Sequence, residues 1–499
     1  MLFRAISRSV IVAILVVLII IGIISVYMIN RPTVSPTQST TSTTFSTTTT
    51  TLTTTTTTMT TTTTTTITTT TTPPLPTIKI GTSEIRVPKD FYDFISKVKN
   101  GETKVTINFW TSMLPFEVNN IKNVVNSFMS KYPGITVKYT GTVQNMKEAV
   151  KAGVIAGDVE NTAHVFTWAH DWTGELADGG YIVPLDKYLP PETLQDLQNQ
   201  YLSAAYSAAV YKLHVYGLPW SAETVALVCN TNMVSQPPKT FTELESIMQK
   251  YYNNKTNTYG LAYQMDPYFV YPFVTAFGGY YYNEENDSVG VNSTGTEEGL
   301  RFLVTNVLKY EYTSDLGHET QLKIFTDGRA PCMITGPWDI PAIKQSISNI
   351  SVVPLPSING NMPKPFSGIK LLWITKLVEQ DKNRLYASLL FTIWFSLNDD
   401  TIKLLVDNAG FVPVKKSMVT YVTQNMAKYP IVSGFVEAVA NSIPMPKSSK
   451  MALVWGPVTD ALNAILTKYS ESGPQAALQE IRPALNNAQK AILQKFSGG

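Results

Sequence analysis

The sequence predicts an α/β protein in two lobes, displayed behind an N-terminal membrane anchor and a stalk. Three observations carry this. From Lys104 onward, strand-like and helix-like stretches alternate as they do in a domain with a mainly parallel sheet. Tyr216 to Asn230 is an apolar, β-branched run opened by the turn residues Gly217 and Pro219, with a single carboxylate, Glu223, inside it. Ahead of both lie a long apolar segment and a threonine tract that cannot form a core. A carboxylate buried alone in an apolar run is costly, so Glu223 needs a cation, a backbone to cap or a polar cleft. The run is read as a crossing between lobes, with Glu223 at the cleft they share.

Composition narrows the function. The 499 residues are 44% hydrophobic, ample for a large core, and the formal net charge of +2 gives no argument for nucleic acid. The four histidines include no pair at metal-ligand spacing and there is no CxxC, so neither a metal nor any other cofactor is implied. Cys229 and Cys332 are the only cysteines, and by themselves they read equally as two buried thiols or one disulfide.

In chain order, residues 1–9 carry Arg4 and Arg8 ahead of the apolar run Val10 to Met28. At about 1.5 Å per residue the run spans the roughly 30 Å hydrocarbon core. Positive charge before it places the N-terminus in the cytoplasm and the rest outside. A cleaved secretory signal is the competing reading; the run is longer than a signal core and lacks a clear small-x-small site at its end. No cysteine precedes Cys229, so a lipid anchor on an N-terminal cysteine is excluded and a helix over 10–29 is the natural tether.

Residues 30–76 are mostly threonine, with serine and proline, the composition of an O-glycosylated stalk. At roughly 3 Å per residue such a stalk reaches on the order of 100 Å. The sequons at Asn254, Asn286, Asn292 and Asn349 fit the same extracellular surface. Residues 77–103 read as a lead-in, and the folded region starts near Lys104.

There Val105 to Trp110 alternates as a strand, Val118 to Lys131 has helical spacing, and Ile135 to Tyr139 is a second strand. A helix follows over Met146 to Ala156 and a short strand over His164 to Phe166. In such sheets ligands sit beyond the carboxyl ends of the strands. Two of those ends are aromatic: Trp110, and the cluster Trp168, Asp171 and Trp172. Aromatic faces beside carboxylates suit a neutral sugar, whose C–H face stacks on an indole while its hydroxyls donate to charged acceptors. The same pairing of an aromatic with a proline or glycine recurs at Asp266 to Pro272, at Gly336-Pro-Trp338 and at Trp455-Gly-Pro457. The alternative is that the tryptophans are core.

By ordered motifs over about Lys104 to Lys495, the chain resembles the maltose/maltodextrin-binding family of extracellular solute-binding proteins of ABC sugar importers. The motifs are Phe166-Thr-Trp-Ala-His-Asp171, Ala177 to Leu185, Tyr216 to Asn230, Gly278-Gly-Tyr, Gly299 to Val304, Ile334 to Trp338, Lys364 to Gly368 and Met445 to Trp455. The resemblance implies the class II periplasmic-binding-protein fold with three interlobe crossings, near Ala222 to Ala226, Phe366 to Gly368 and Val414 to Met418. It assigns 104–222 and 367–414 to the first lobe, and 226–364 and 418–499 to the second.

It also implies a monomer that is not an enzyme, an oligosaccharide ligand, and ABC permease subunits as partners. Asp171 and Glu223 then accept hydrogen bonds from sugar hydroxyls with Trp168 near the same ring. Asp266 stands where the family has glutamate, Tyr268 takes a stacking role, and Trp338 and Trp455 stack on glucose rings. Trp172 replaces the family's arginine. The acid and lysine that follow the family's first strand have no counterpart, since Thr111, Ser112 and Met113 stand there. Cys229 and Cys332 fall on strands of the second lobe that are able to pair, which favours a disulfide. Rival readings are a binder for a peptide or another solute on the same frame, and a surface glycoside hydrolase, which needs a carboxylate pair flanking the bond.

Overall fold

The computed structural model describes residues 74–498. The expected cytoplasmic end, the anchor over 10–29 and nearly all of the stalk lie outside the described residues. Among the described residues, no helix is long and apolar enough to cross a membrane.

Regular structure begins at Thr77, ahead of the expected start near Lys104. Strands β1 (Thr77–Ile80) and β2 (Ser83–Arg86) form an antiparallel hairpin that buries Ile78, Ile80, Ser83 and Ile85 and exposes Thr77, Lys79, Glu84 and Arg86. The helix Lys89–Lys99 then turns Phe91, Phe94, Ile95 and Val98 onto one buried face, the spacing of an amphipathic helix. Each strand has only four residues and so points two side chains inward, too few for periodicity to separate it from a lead-in.

The remaining strands are β3 (Val105–Trp110), β4 (Ile135–Thr140), β5 (Val165–Ala169), β6 (Val210–Tyr211), β7 (His214–Val215), β8 (Gly217–Thr224) and β9 (Ala226–Asn230). They continue as β10 (Ala262–Tyr263), β11 (Tyr282–Asn283), β12 (Ser288–Val289), β13 (Cys332–Thr335), β14 (Ile350–Val353), β15 (Phe366–Ile374), β16 (Val412–Pro413) and β17 (Ile443–Pro444). β6 with β7 and β11 with β12 are short hairpins.

One sheet has seven strands in the order β16-β8-β15-β5-β3-β4, with β17 beside β15; the other has four, in the order β10-β13-β9-β14. The larger sheet is mixed, where the sequence reading expects it mainly parallel. β4, β3 and β5 run parallel, but β15 is antiparallel to both β5 and β8. Connectivity requires this. The chain leaves the large sheet along β8 and enters the small one as β9 after Val225 alone, then returns from β14 to β15, so the outgoing and returning strands run in opposite directions.

Two large buried clusters fill the fold, and the small sheet contributes to both, with Ala226, Val228, Met333 and Val352 in the cluster of the large sheet. Ile107, Phe109, Phe166, Leu371 and Trp373 belong to the first, and Leu227, Tyr263 and Ile334 to the second, which the helices Ala452–Ser472 and Pro474–Ser497 complete. Between them in sequence, the helices Lys416–Gln424 and Pro430–Ala440 share a small core with Ile402 and Val406. Cys229 and Cys332 lie directly opposite each other on β9 and β13, fully buried, and are joined by a disulfide.

Candidate functional site

A cavity of about 500 Å³ lies where β8 and β15 pass between the sheets, walled by residues from both. Its first wall is the end of β5, which carries Trp168, followed by a single 3-10 turn, His170–Trp172, that carries Asp171. His170 sets that turn. Its Nδ1 accepts the Ile369 N–H of β15 at 3.1 Å, so the proton sits on Nε2, which donates to the Met445 carbonyl at 2.9 Å. Burial lowers this imidazole to about 4, consistent with a neutral ring bridging three segments.

Glu223 lies near the end of β8, opposite Gly368 of β15. A side chain at Gly368 would come within 2.9 Å of Glu223 Oε1, so the glycine is what lets the carboxylate lie flat against the neighbouring strand. Two residues along β15 on the same face, Lys370 reaches back, Nζ to Glu223 Oε2 2.7 Å. The cation demanded by a carboxylate in an apolar run is therefore Lys370, lodged in an apolar run of its own. Lys370 also lies 5.5 Å over the Trp168 ring.

The opposite wall belongs to the second sheet. Asp266 caps the helix Pro267–Ala276, accepting the Tyr268 N–H at 2.8 Å and the Phe269 N–H at 3.1 Å, and it also takes a short hydrogen bond from the Gln264 amide. Tyr268 donates its hydroxyl to the Phe366 carbonyl at 3.0 Å, tying this wall to the first residue of β15. Trp338, in the 3-10 turn Pro337–Asp339, packs 6.4 Å from Tyr268 and 6.2 Å from Phe269 between ring centroids. Trp455, in the first turn of its helix, lies edge-on to Phe366 at 5.8 Å.

The structure thus brings Trp168, Asp171, Glu223, Asp266, Tyr268, Trp338 and Trp455 around one cavity. Trp172 does not line it. Its ring stacks behind Trp168 at 5.1 Å and against Trp373 at 6.4 Å, with Lys147 over its face at 5.6 Å. Two charged residues not singled out in the sequence also line the cavity: Glu117, from the first turn of the helix Pro115–Lys131, and Lys370, from β15. His318 joins the wall as well, its Nε2 2.9 Å from Oδ1 of the fully buried Asp339. Glu117 reads in sequence as an ordinary first-turn acid, and its Oε2 does accept the Leu114 N–H at 2.9 Å. Lys370 was findable by the reasoning applied to Glu223, since a lone charge inside an apolar strand asks for a partner.

Burial controls the electrostatics. It pushes the Asp171 carboxyl up to about 7 against the pull of Lys147, and Asp171 Oδ1 accepts no hydrogen bond among the described residues. Burial likewise pushes Glu117 up to about 7, with Lys370 and the Leu114 N–H opposing. Burial works to lower the Lys370 ammonium, but Glu223 and Glu117 outweigh it and hold it above the usual lysine value. Aromatic faces, carboxyls and one buried ammonium converge on a cavity that admits a neutral, hydroxyl-rich ring. No group of His, Cys, Asp and Glu able to hold a metal occurs among the described residues.

Of the sequon asparagines, Asn254, Asn286 and Asn349 are exposed, while Asn292 is half-buried with its amide on Asn486 Oδ1 at 3.0 Å.

A family model described as bacterial extracellular solute-binding protein matches residues 123–433. The maltotriose-binding protein of Pyrococcus abyssi (strain GE5 / Orsay) is 34% identical over 403 residues, covering 80% of this chain and 83% of the relative. A maltooligosaccharide ABC transporter solute-binding lipoprotein of Streptococcus pneumoniae (strain ATCC BAA-255 / R6) is 25% identical over 296 residues, covering 56% and 67%. In fold, the chain is similar to a cyclo/maltodextrin-binding protein solved with maltotetraose, at a TM-score of 0.63 and 24% identity over 78% of this chain and 97% of that one.

Proposed function

Because the chain belongs to the bacterial extracellular solute-binding proteins, whose members here are binders and not enzymes, we propose that it is the extracellular receptor of an ABC sugar importer that captures a maltose- or maltodextrin-like oligosaccharide. One observation carries the choice of ligand: a single cavity of about 500 Å³ with Trp168, Tyr268, Trp338 and Trp455 set among Asp171, Glu223 and Asp266. Pyranose C–H faces stack on the rings while hydroxyls donate to the carboxyls. A peptide would instead need anchors for charged termini and extended backbone.

In this reading 104–222 and 367–414 form one lobe, 226–364 and 418–499 the other, in the class II arrangement with three crossings. Sugar closes the cleft by hinge motion and the closed form delivers it to the permease. The receptor acts as a monomer, held outside the cell by a helix over 10–29 and a stalk over 30–76, with N-glycans on the exposed sequons.

Titration calorimetry on residues 77–499 against maltose, maltotriose, trehalose, glucose and a mixed peptide pool tests this. Micromolar or tighter binding to a glucan is expected. Heat from the peptide pool alone, with silence across the sugars, would overturn the sugar reading and leave the fold.

A further inference from the structure

The cavity is lined by four acids, Glu117, Asp171, Glu223 and Asp266, against one lysine and one histidine. A sugar hydroxyl both donates and accepts, so a site that satisfies only its proton leaves its lone pairs unmet. Asp171, Glu223, Glu117 and Asp266 supply acceptors. Of the neutral donors that line the same space, the Ser112 hydroxyl and the Trp168 and Trp338 indole N–H groups face it, and three others are engaged. The Tyr268 hydroxyl is on the Phe366 carbonyl, the Gln264 amide is on Asp266, and the Thr459 hydroxyl is on the Trp455 carbonyl.

Lys370 is different. Its ammonium carries three N–H donors, and among the described residues its only hydrogen-bonding partner is Glu223, at 2.7 Å. Its side chain is 9% exposed, lines the cavity and lies against Trp168, the ring expected to hold a sugar face. A structural counter-ion for Glu223 would need one of those donors. The rest are held on a strand buried along its whole length, in the field of Glu223 and Glu117.

Resting on the sugar reading above, we propose that Lys370 is a ligand-binding residue that donates to a hydroxyl of the sugar seated on Trp168, while Glu223 accepts from that hydroxyl or its neighbour. The pair then reads a vicinal diol as one unit, donor and acceptor together. Because Glu223 and Lys370 lie on the outgoing and returning strands that join the sheets, the diol is held at the point where the chain passes between them.

Removing either partner alone leaves the other charge buried without it, with Glu117 the remaining acid acting on Lys370, so the Lys370 contribution is read in the Glu223→Gln background. Calorimetry with maltotriose compares wild type, Glu223→Gln and the double variant Glu223→Gln/Lys370→Met, with thermal unfolding to confirm that each is folded. The double variant is expected to bind about 10- to 150-fold more weakly than Glu223→Gln, the worth of a hydrogen bond from a charged donor. Monodeoxy maltotrioses give the second readout. For the one sugar lacking the contacted hydroxyl, the difference between the two variants should vanish, which loss of a merely structural ammonium would not produce. Equal affinities of Glu223→Gln and the double variant for maltotriose would overturn the proposal and leave the sugar reading intact. Absence of glucan binding by the wild type would overturn the sugar reading itself.

Discussion

His170 and Met445 lie 275 residues apart in sequence and meet at 2.9 Å, imidazole Nε2 to backbone carbonyl, while the other ring nitrogen takes the N–H of Ile369. One fully buried side chain therefore joins the end of β5 to the returning strand and to the segment that leads into the helix of Trp455. Replacing it with alanine orphans a backbone donor and a backbone acceptor, each costing about 1–3 kcal/mol. His170→Ala is expected to lower the unfolding free energy by about 2–6 kcal/mol and to weaken sugar binding, because Asp171 and Trp455 lose their common brace. A denaturant midpoint equal to that of the wild type would show that the brace is dispensable.

The carboxyl next in sequence makes stability depend on pH in an unusual direction. Asp171 is raised to about 7 in the folded chain and titrates near 3.8 when exposed. Between those values the folded form holds a proton that the unfolded form has lost. Its contribution is therefore fully present below about 3.8 and is lost as pH rises through about 7, at a slope of at most about 1.4 kcal/mol per unit. Glu117 acts in the same sense, while His170, lowered to about 4, acts in the opposite one and destabilises as pH falls below its free value. Net slopes partly cancel, so the informative quantity is a difference. Relative to wild type, Asp171→Asn should gain stability steadily from pH 4 to pH 7 in urea melts. A flat difference would mean that the carboxyl is not held protonated.

The contrast between two tryptophans separates binding from packing. Trp455 presents a face to the cavity, so Trp455→Ala should weaken sugar binding by about 1–3 kcal/mol, roughly 5- to 150-fold, with little loss of fold. Trp172 sits outside it, stacked between Trp168 and Trp373. Trp172→Ala should cost more in thermal stability than in affinity. Calorimetry and thermal melts on both variants check this, and an affinity loss at Trp172 as large as at Trp455 would place its ring on the ligand.

β3 and β4 were legible from the alternation in their sequences, whereas β5, read as a short apolar strand over His164 to Phe166, runs from Val165 to Ala169 and is buried at four of its five positions. The cavity's aromatics were legible because each stands beside a proline, a glycine or an acid that marks a loop or strand end. Glu117 was hidden by its resemblance to a capping acid, a role it does fill. Lys370 carried the same signal as Glu223, a lone charge in an apolar run, and every residue of its strand β15 is buried. Trp172 looked equivalent to Trp168, four residues upstream. Only the 3-10 turn at His170 sends the two rings to opposite sides of the cavity wall, and sequence spacing does not contain that turn.

The hairpin ahead of β3 is joined to the rest of the fold through Thr82. Its N–H and hydroxyl donate to Asp399 Oδ2 at 2.6 and 2.8 Å, and Asp399 Oδ1 in turn receives the buried Lys415 ammonium at 2.6 Å, just past β16. Gly81 beside it has a φ of +58°, and a side chain there would run into Asp399 at 2.3 Å, so the turn fits only with glycine. Arg86 adds a fork onto Asp196 at 2.7 and 2.8 Å. Lys415 without its carboxylate would be a buried cation held only by the Leu397 carbonyl and the Thr82 hydroxyl, a loss of about 3–5 kcal/mol. Asp399→Ala should therefore destabilise the fold by that amount and expose the hairpin to early hydrogen exchange. The sugar cavity does not contain Asp399, so affinity measured below the melting temperature should change by less than about 3-fold, under 1 kcal/mol. Protection of residues 77–86 matching the wild type would show that the hairpin is held by its three isoleucines rather than by the Thr82–Asp399–Lys415 chain.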